Sequence, residues 1–102
     1  MLFHVTMTHT PDNCPAELPP AQQKKFFAEA EKMQKAARKM KVNVHFWVAG
    51  VGHTMYALVE ADSFRALNMF FNDSGFKQDY QIEPVDHAEN IIAAFKRKLS
   101  KK

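Results

Sequence analysis

Hydrophobic and polar residues alternate at the start of the chain and again in its middle. Residues 2–8 place Phe3, Val5 and Met7 on one face of an extended segment, which predicts a first strand. Residues 42–61 contain two further alternating runs separated by a glycine-containing turn, which predicts a β-hairpin. The predicted sheet therefore has one apolar face and one polar face.

Elsewhere, apolar residues recur at three- and four-residue steps. This spacing predicts helices over residues 21–40, 64–71 and 87–99, and residues 80–85 read as a fourth strand. Residues 10–20 hold four of the five prolines and predict a loop that could close over a cavity. The order βαββαβα is that of a ferredoxin-like α+β fold with an added C-terminal helix, in a single domain spanning residues 1–102.

The hairpin register decides which side chains share the polar face. A turn centred on Gly50 and Val51 pairs Val48 with His53 and His45 with Tyr56. With the first strand beside the third, six side chains then share one face of the sheet: His4, Thr6, His45, Trp47, Thr54 and Tyr56. A second copy of the chain, packed sheet to sheet, is the simplest cover for so aromatic a face.

Length and composition exclude several classes of protein. A chain of 102 residues with 46% hydrophobic content forms one domain, and its apolar runs are too short to cross a bilayer. The start of the chain lacks the pattern of a signal peptide, and Cys14 has no second cysteine to pair with. Together these features predict a cytoplasmic protein without a membrane segment.

The formal net charge is +3, and much of the excess lies in a basic tail at residues 96–102. Cations near a helix C-terminus complement the helix dipole, and no aromatic residues alternate with these lysines as they do in nucleic-acid-binding segments. We therefore expect a solvated tail and no nucleic-acid partner.

The opening MLFHV, the long helix after a proline-containing loop, and the hairpin HFWVAGVGHTMYALVEAD resemble the dimeric α+β barrel superfamily. Within it the muconolactone isomerases and a family of small uncharacterised bacterial proteins are most similar, over most of residues 1–86. The resemblance implies a homodimer or higher homo-oligomer that binds small hydrophobic or aromatic molecules. It leaves the chemistry open, since the superfamily also includes cofactor-free monooxygenases, haem-degrading enzymes and ligand sensors.

The polar face supplies candidate chemistry. An imidazole can transfer protons near neutral pH, and a phenol can donate a hydrogen bond to a developing enolate, so His4, His45 and Tyr56 are the predicted catalytic residues. Trp47, Thr6 and Thr54 would bind the substrate, with the indole as a flat apolar wall. These groups suit an isomerase or a cofactor-independent oxygenase that acts on a small aromatic or lactone compound.

Two other functions stay open. In the first, the same aromatic face serves only as a dimer contact, in a non-catalytic ligand sensor or assembly module. A haem- or metal-binding protein is the third possibility, although strand parity separates His4 from His9 and His45 from His53. A site made of Met7, His9 and Cys14 would require the proline-rich loop to fold back. We therefore expect neither a metal nor another cofactor.

Overall fold

The computed structural model describes residues 1–72 and 78–101. It contains seven regular elements, each within two residues of its predicted bounds: β1 (Leu2–Thr8), α1 (Pro20–Lys39), β2 (Asn43–Ala49), β3 (Thr54–Glu60), α2 (Phe64–Asn72), β4 (Asp79–Val85) and α3 (Ala88–Ser100). The predicted loop at 10–20 contains two short 3-10 turns, Pro11–Asn13 and Pro15–Glu17. The sequence also predicts a turn at residues 72–75, of which 73–75 lie outside the described residues.

The four strands form one antiparallel sheet in the order β2-β3-β1-β4. This order places β1 beside β3 and confirms the ferredoxin-like α+β fold. Two central strands, β1 and β3, are therefore flanked on both sides, whereas β2 and β4 form the edges.

The core lies between one face of this sheet and the helices α1 and α2. We call this the helical face; on β1 it presents Phe3, Val5 and Met7, all almost fully buried. Helix α2 covers them with Leu67, Phe70 and Phe71, which recur at helical spacing. The alternation read from the sequence thus separates buried from accessible positions along β1 as predicted.

A left-handed residue ends α1 and directs the chain into β2. Lys41 has φ 57°, Val42 N–H donates to the Ala37 carbonyl at 2.8 Å, and Lys41 N–H donates to the Arg38 carbonyl at 3.4 Å. This is the Schellman arrangement, and its usual hydrophobic contact is supplied by Ala37 and Val42, both of which are buried.

The hairpin register differs from the prediction. Val48 pairs with Tyr56 and Trp47 with Ala57, whereas the sequence predicted His53 opposite Val48. The turn is longer than expected: Gly50 N–H donates to the Thr54 carbonyl at 2.9 Å, and Gly52 adopts φ +79°. A β-bulge between Val44 and Phe46 leaves His45 without a ladder partner.

Two surfaces are left exposed by the part of the chain that the structure describes. The side of the sheet opposite α1 and α2, the open face, presents Phe46 at 42% and Val48 at 49% exposure. Every residue of α3 is exposed, and the chain is elongated at 64 × 31 × 17 Å. The predicted basic tail is helical as far as Ser100, so its described residues continue α3. Among the described residues, no helix combines the length and apolar character that a membrane crossing requires.

Candidate functional site

His4 and Tyr56 meet on the open face. Thr6 lies opposite Tyr56 in the β1–β3 ladder, and His4 lies two residues before Thr6 on the same face. The two rings have centroids 6.1 Å apart and planes tilted by 36°. Thr54 pairs with Thr8 at the end of the same face. Four of the six residues predicted to share a face therefore do so.

His45 does not join this group. Its Nε2 lies 3.3 Å from the Glu60 Oε1, at the end of β3 where β2 begins. Tyr56 and Glu60 are four residues apart on one strand, which is about 13 Å. The predicted pairing of His45 with Tyr56 is therefore wrong, because the bulge and the longer turn shift the register.

Trp47 lies on the helical face. Its ladder partner Ala57 is buried, and it borders a cavity with Met33 of α1. The sequence placed Trp47 on the polar face and Phe46 on the apolar one, and the structure reverses both. The physical reason is the unpaired His45, since one extra residue inverts the facing of all residues that follow it in a strand.

An apolar cavity of about 320 Å³ lies between α1 and the helical face. We call it the inner cavity. Gln34 and Gln78 are the polar residues among those that line it. The apolar walls are Met7, Ala30, Met33, Ala37, Val44, Trp47, Ala57, Val59, Phe70 and Phe71. Its chemistry suits an apolar molecule with a single polar group.

A second cavity, of about 430 Å³, lies beside the proline-rich loop. We call it the loop cavity. Asp12, Asn13, Pro15 and Leu18 supply its loop side, and Gln22, Lys25, Phe26 and Glu29 its α1 side. Trp47 and Gln78 border both cavities, so the indole stands between them. The loop predicted to cover a cavity does line one.

Two histidines lie at the end of the β1–β3 ladder. His53 Nδ1 and His9 Nε2 are 3.3 Å apart, and His9 N–H donates to the His53 carbonyl at 3.2 Å. Burial lowers the pKa of His9 below its ordinary value, and a positive charge on His53 lowers it further. The neutral imidazole of His9, which can accept a proton or a metal ion, is therefore favoured.

Cys14 lies next to this histidine pair. A nitrogen of His9, a nitrogen of His53 and the Cys14 Sγ all lie within 4.8 Å of one another. The sequence predicted no metal site, because the alternation of side chains along each strand separates His4 from His9 and His45 from His53. Parity does not apply here, since His9 follows Thr8, the last residue of β1, and His53 precedes Thr54, the first residue of β3.

The sequence did contain a signal for this cluster. Thr8 pairs with Thr54 in an antiparallel ladder, so the residues just beyond the two strand ends, His9 and His53, must be neighbours. Strand bounds together with the correct β1–β3 register would have predicted their contact. The return of Cys14 toward them depends on the two loop turns and could not be read from strand periodicity.

A model of one protein family matches residues 1–99. The chain belongs to this family, described as a domain of unknown function (DUF3303). A comparison with curated proteins gives no match.

Two solved structures of similar fold cover most of the chain. SCO4226 from Streptomyces coelicolor A3(2) has a TM-score of 0.59 at 17% identity, covering 86% of this chain and 99% of its own. Muconolactone isomerase has a TM-score of 0.61 at 22% identity, covering 86% of this chain and 92% of its own. At these identities the likeness concerns the fold, and it confirms the muconolactone-isomerase-like architecture indicated by the sequence.

Proposed function

We propose that this protein binds a small apolar or aromatic molecule in the inner cavity. The observation that supports this most is the position of Trp47, whose indole borders the apolar space between α1 and the sheet. A volume of about 320 Å³ is at the lower end of the range of ligand sites and suits a compound of one or two rings. Gln78 supplies an amide for one polar substituent.

Trp47 is the chain's single tryptophan and borders both cavities, so its fluorescence reports a ligand in either one, and variants of the inner cavity are needed to assign the site. We expect phenol, 1-naphthol or muconolactone, used as probes, to change the emission and raise the melting temperature. Ala30→Phe would fill the inner cavity and abolish both effects. Ala28→Phe, on the exposed side of the same helix, is the matched control and would leave both intact. Equal responses in the two variants would contradict binding in the inner cavity.

The open face and α3 support a homodimer. Phe46 and Val48 are half exposed on the sheet, and Ile91, Ile92, Phe95 and Leu99 form an exposed apolar stripe on α3. A second copy of the chain presents the same two surfaces. A two-fold symmetric dimer therefore buries the open face and the α3 stripe of both copies. Sedimentation would show a dimer for the wild type and for Phe27→Glu on α1, and a monomer for Phe95→Glu. A monomeric wild type would exclude this assembly.

The contact between His4 and Tyr56 favours a second candidate function, proton transfer at the sheet-to-sheet interface. An imidazole could remove a proton from a carbon next to a carbonyl, and the Tyr56 hydroxyl could donate a hydrogen bond to the enolate. Thr6 and Thr54 would orient the substrate on the same face. Such a site would serve an isomerase or a cofactor-independent oxygenase.

Exchange of muconolactone carbon-bound protons in D2O, followed by NMR, tests this chemistry. His4→Gln and Tyr56→Phe would slow the exchange, whereas His87→Gln, at an exposed histidine remote in sequence from the sheet contact, would not. Binding of the probe without enzyme-dependent exchange would instead favour a non-catalytic ligand sensor or assembly module.

A further inference from the structure

Three metal-ligating side chains converge beside the loop cavity. His9, Cys14 and His53 are all partly buried, and one ligand atom from each lies within 4.8 Å of the other two. Neither the apolar inner cavity nor the His4–Tyr56 contact uses them. Their convergence therefore requires a separate explanation.

The backbone holds this cluster in place from two directions. The last β1–β3 pair, Thr8 with Thr54, fixes the positions of His9 and His53, and the His9 N–H bond to the His53 carbonyl extends the ladder by one step. Cys14 lies between two 3-10 turns that each begin at a proline, and its N–H donates to the Pro11 carbonyl at 3.1 Å. Proline restricts φ, so the loop is largely pre-organised to present the thiol.

The distances agree with the requirements of a tetrahedral ion. With Zn–N distances of about 2.0 Å, a tetrahedral zinc ion separates its two nitrogens by about 3.3 Å. His9 Nε2 and His53 Nδ1 are 3.3 Å apart in the structure. A Zn–S distance of about 2.3 Å brings the sulfur to about 3.5 Å from each nitrogen, so a side-chain adjustment of about 1 Å completes the set.

We propose that His9, Cys14 and His53 bind a zinc-type divalent ion. Two imidazoles and a thiolate select borderline-soft ions over Mg²⁺ and Ca²⁺, which prefer oxygen ligands. Three protein ligands leave one tetrahedral position for water or an exogenous group, the pattern of a catalytic or sensing site. Because His9 also borders the loop cavity, a molecule in that cavity could supply the fourth ligand. This site does not depend on the proposed apolar ligand.

Cobalt and zinc titrations of the full chain, freed of metal by a chelator, test the assignment. We expect one Co²⁺ per chain, with the near-ultraviolet charge-transfer absorption that a thiolate ligand produces. Cys14→Ser would remove this absorption, and His53→Gln would weaken Zn²⁺ binding by about tenfold or more. His45→Gln and His87→Gln, at exposed histidines outside the cluster, are the matched controls and would change neither.

Circular dichroism and the melting temperature without metal establish whether each variant is folded. Zn²⁺ would raise the melting temperature of the wild type and of the two control variants, but not that of Cys14→Ser. Wild-type protein without thiolate-to-cobalt absorption, or Zn²⁺ affinity unchanged by Cys14→Ser, would overturn the proposal. The two imidazoles would then form only a hydrogen bond that joins the strand ends.

Discussion

Trp47 lies opposite Ala57 in the β2–β3 ladder, and this pairing puts the indole on the helical face. Strict alternation along β2 breaks at His45, which has no ladder partner between Val44 and Phe46. We expect deletion of His45 to leave a regular ladder with Trp47 still opposite Ala57. Only the exposed contact with Glu60 would be lost, at a cost of about 0–1 kcal/mol.

Deletion of Val48 is the contrasting variant, since Val48 is paired with Tyr56. Removing a paired residue shifts the rest of β2 against β3, and we expect a loss of about 2 kcal/mol or more in the free energy of unfolding. Urea denaturation and Trp47 emission would distinguish the two deletions. A larger loss for the His45 deletion than for the Val48 deletion would contradict the role assigned to the bulge.

The bulge also explains why the sequence predicted the strands of the hairpin but not its register. β2 has apolar residues on both faces, with Val44 and Trp47 facing the helices and Phe46 and Val48 facing outward, so alternation alone specifies the register weakly. Strand β1, whose outward positions are His4, Thr6 and Thr8, has a clear alternation, and its facing was predicted correctly. The catalytic grouping of His45 with Tyr56 failed because it depended on the less constrained strand.

Lys41 adopts a left-handed conformation at the end of α1, where glycine is the favoured residue. We expect Lys41→Gly to raise the free energy of unfolding by about 0.5–1 kcal/mol, because glycine relieves the steric cost of positive φ. Thermal or urea unfolding would measure the change. Lys39→Gly, two residues earlier and still helical, is the control and would lower stability by about 1 kcal/mol. If both substitutions changed the free energy of unfolding in the same direction, the left-handed conformation of Lys41 would not be the cause of the change.

Leu67 is fully buried where α2 meets the sheet, at 0% exposure. Leu67→Ala would leave a cavity among Phe3, Phe70 and neighbouring core residues, and we expect a loss of about 2–5 kcal/mol. Met69→Ala, on the same helix at 53% exposure, would cost less than about 1 kcal/mol. Equal losses in urea denaturation would mean that α2 does not seal the core as described.

The fold was largely predictable because its elements follow from local periodicity. α1 repeats Phe26, Ala30, Met33 and Ala37 at helical spacing. Met33 and Ala37 pack with the core as expected, and Phe26 and Ala30 line the loop cavity and the inner cavity. The His9–Cys14–His53 cluster was not predicted, because its members lie in loops or just beyond strand ends, where no period applies. The cluster forms where the β1–β3 ladder ends and the loop turns back. Its members could be grouped only once the register of these two strands was known.

Asp86 precedes α3, and its Oδ1 accepts hydrogen bonds from the Asn90 side chain at 2.9 Å and from His87 N–H at 2.8 Å. The bond from Asn90, followed by that from His87, lowers the pKa of Asp86 below its ordinary value, and a positive charge on His87 adds to this. A lowered pKa means that the ionised carboxylate stabilises the start of α3 above the ordinary aspartate pKa of about 3.9. That contribution is lost as the pH falls through the lowered pKa.

We therefore expect the Asn90 side-chain amide and His87 backbone amide signals to shift together in an NMR titration, with a midpoint below the ordinary aspartate pKa. Asn90→Ala removes the largest cause and would raise the midpoint. Asn68→Ala, at an exposed asparagine on α2, is the control and would leave the midpoint unchanged. Because α3 contacts no other element in the described part of the chain, this small carboxylate network is the local support at the start of the helix. A midpoint at the ordinary value in the wild type would show that the helix begins without it.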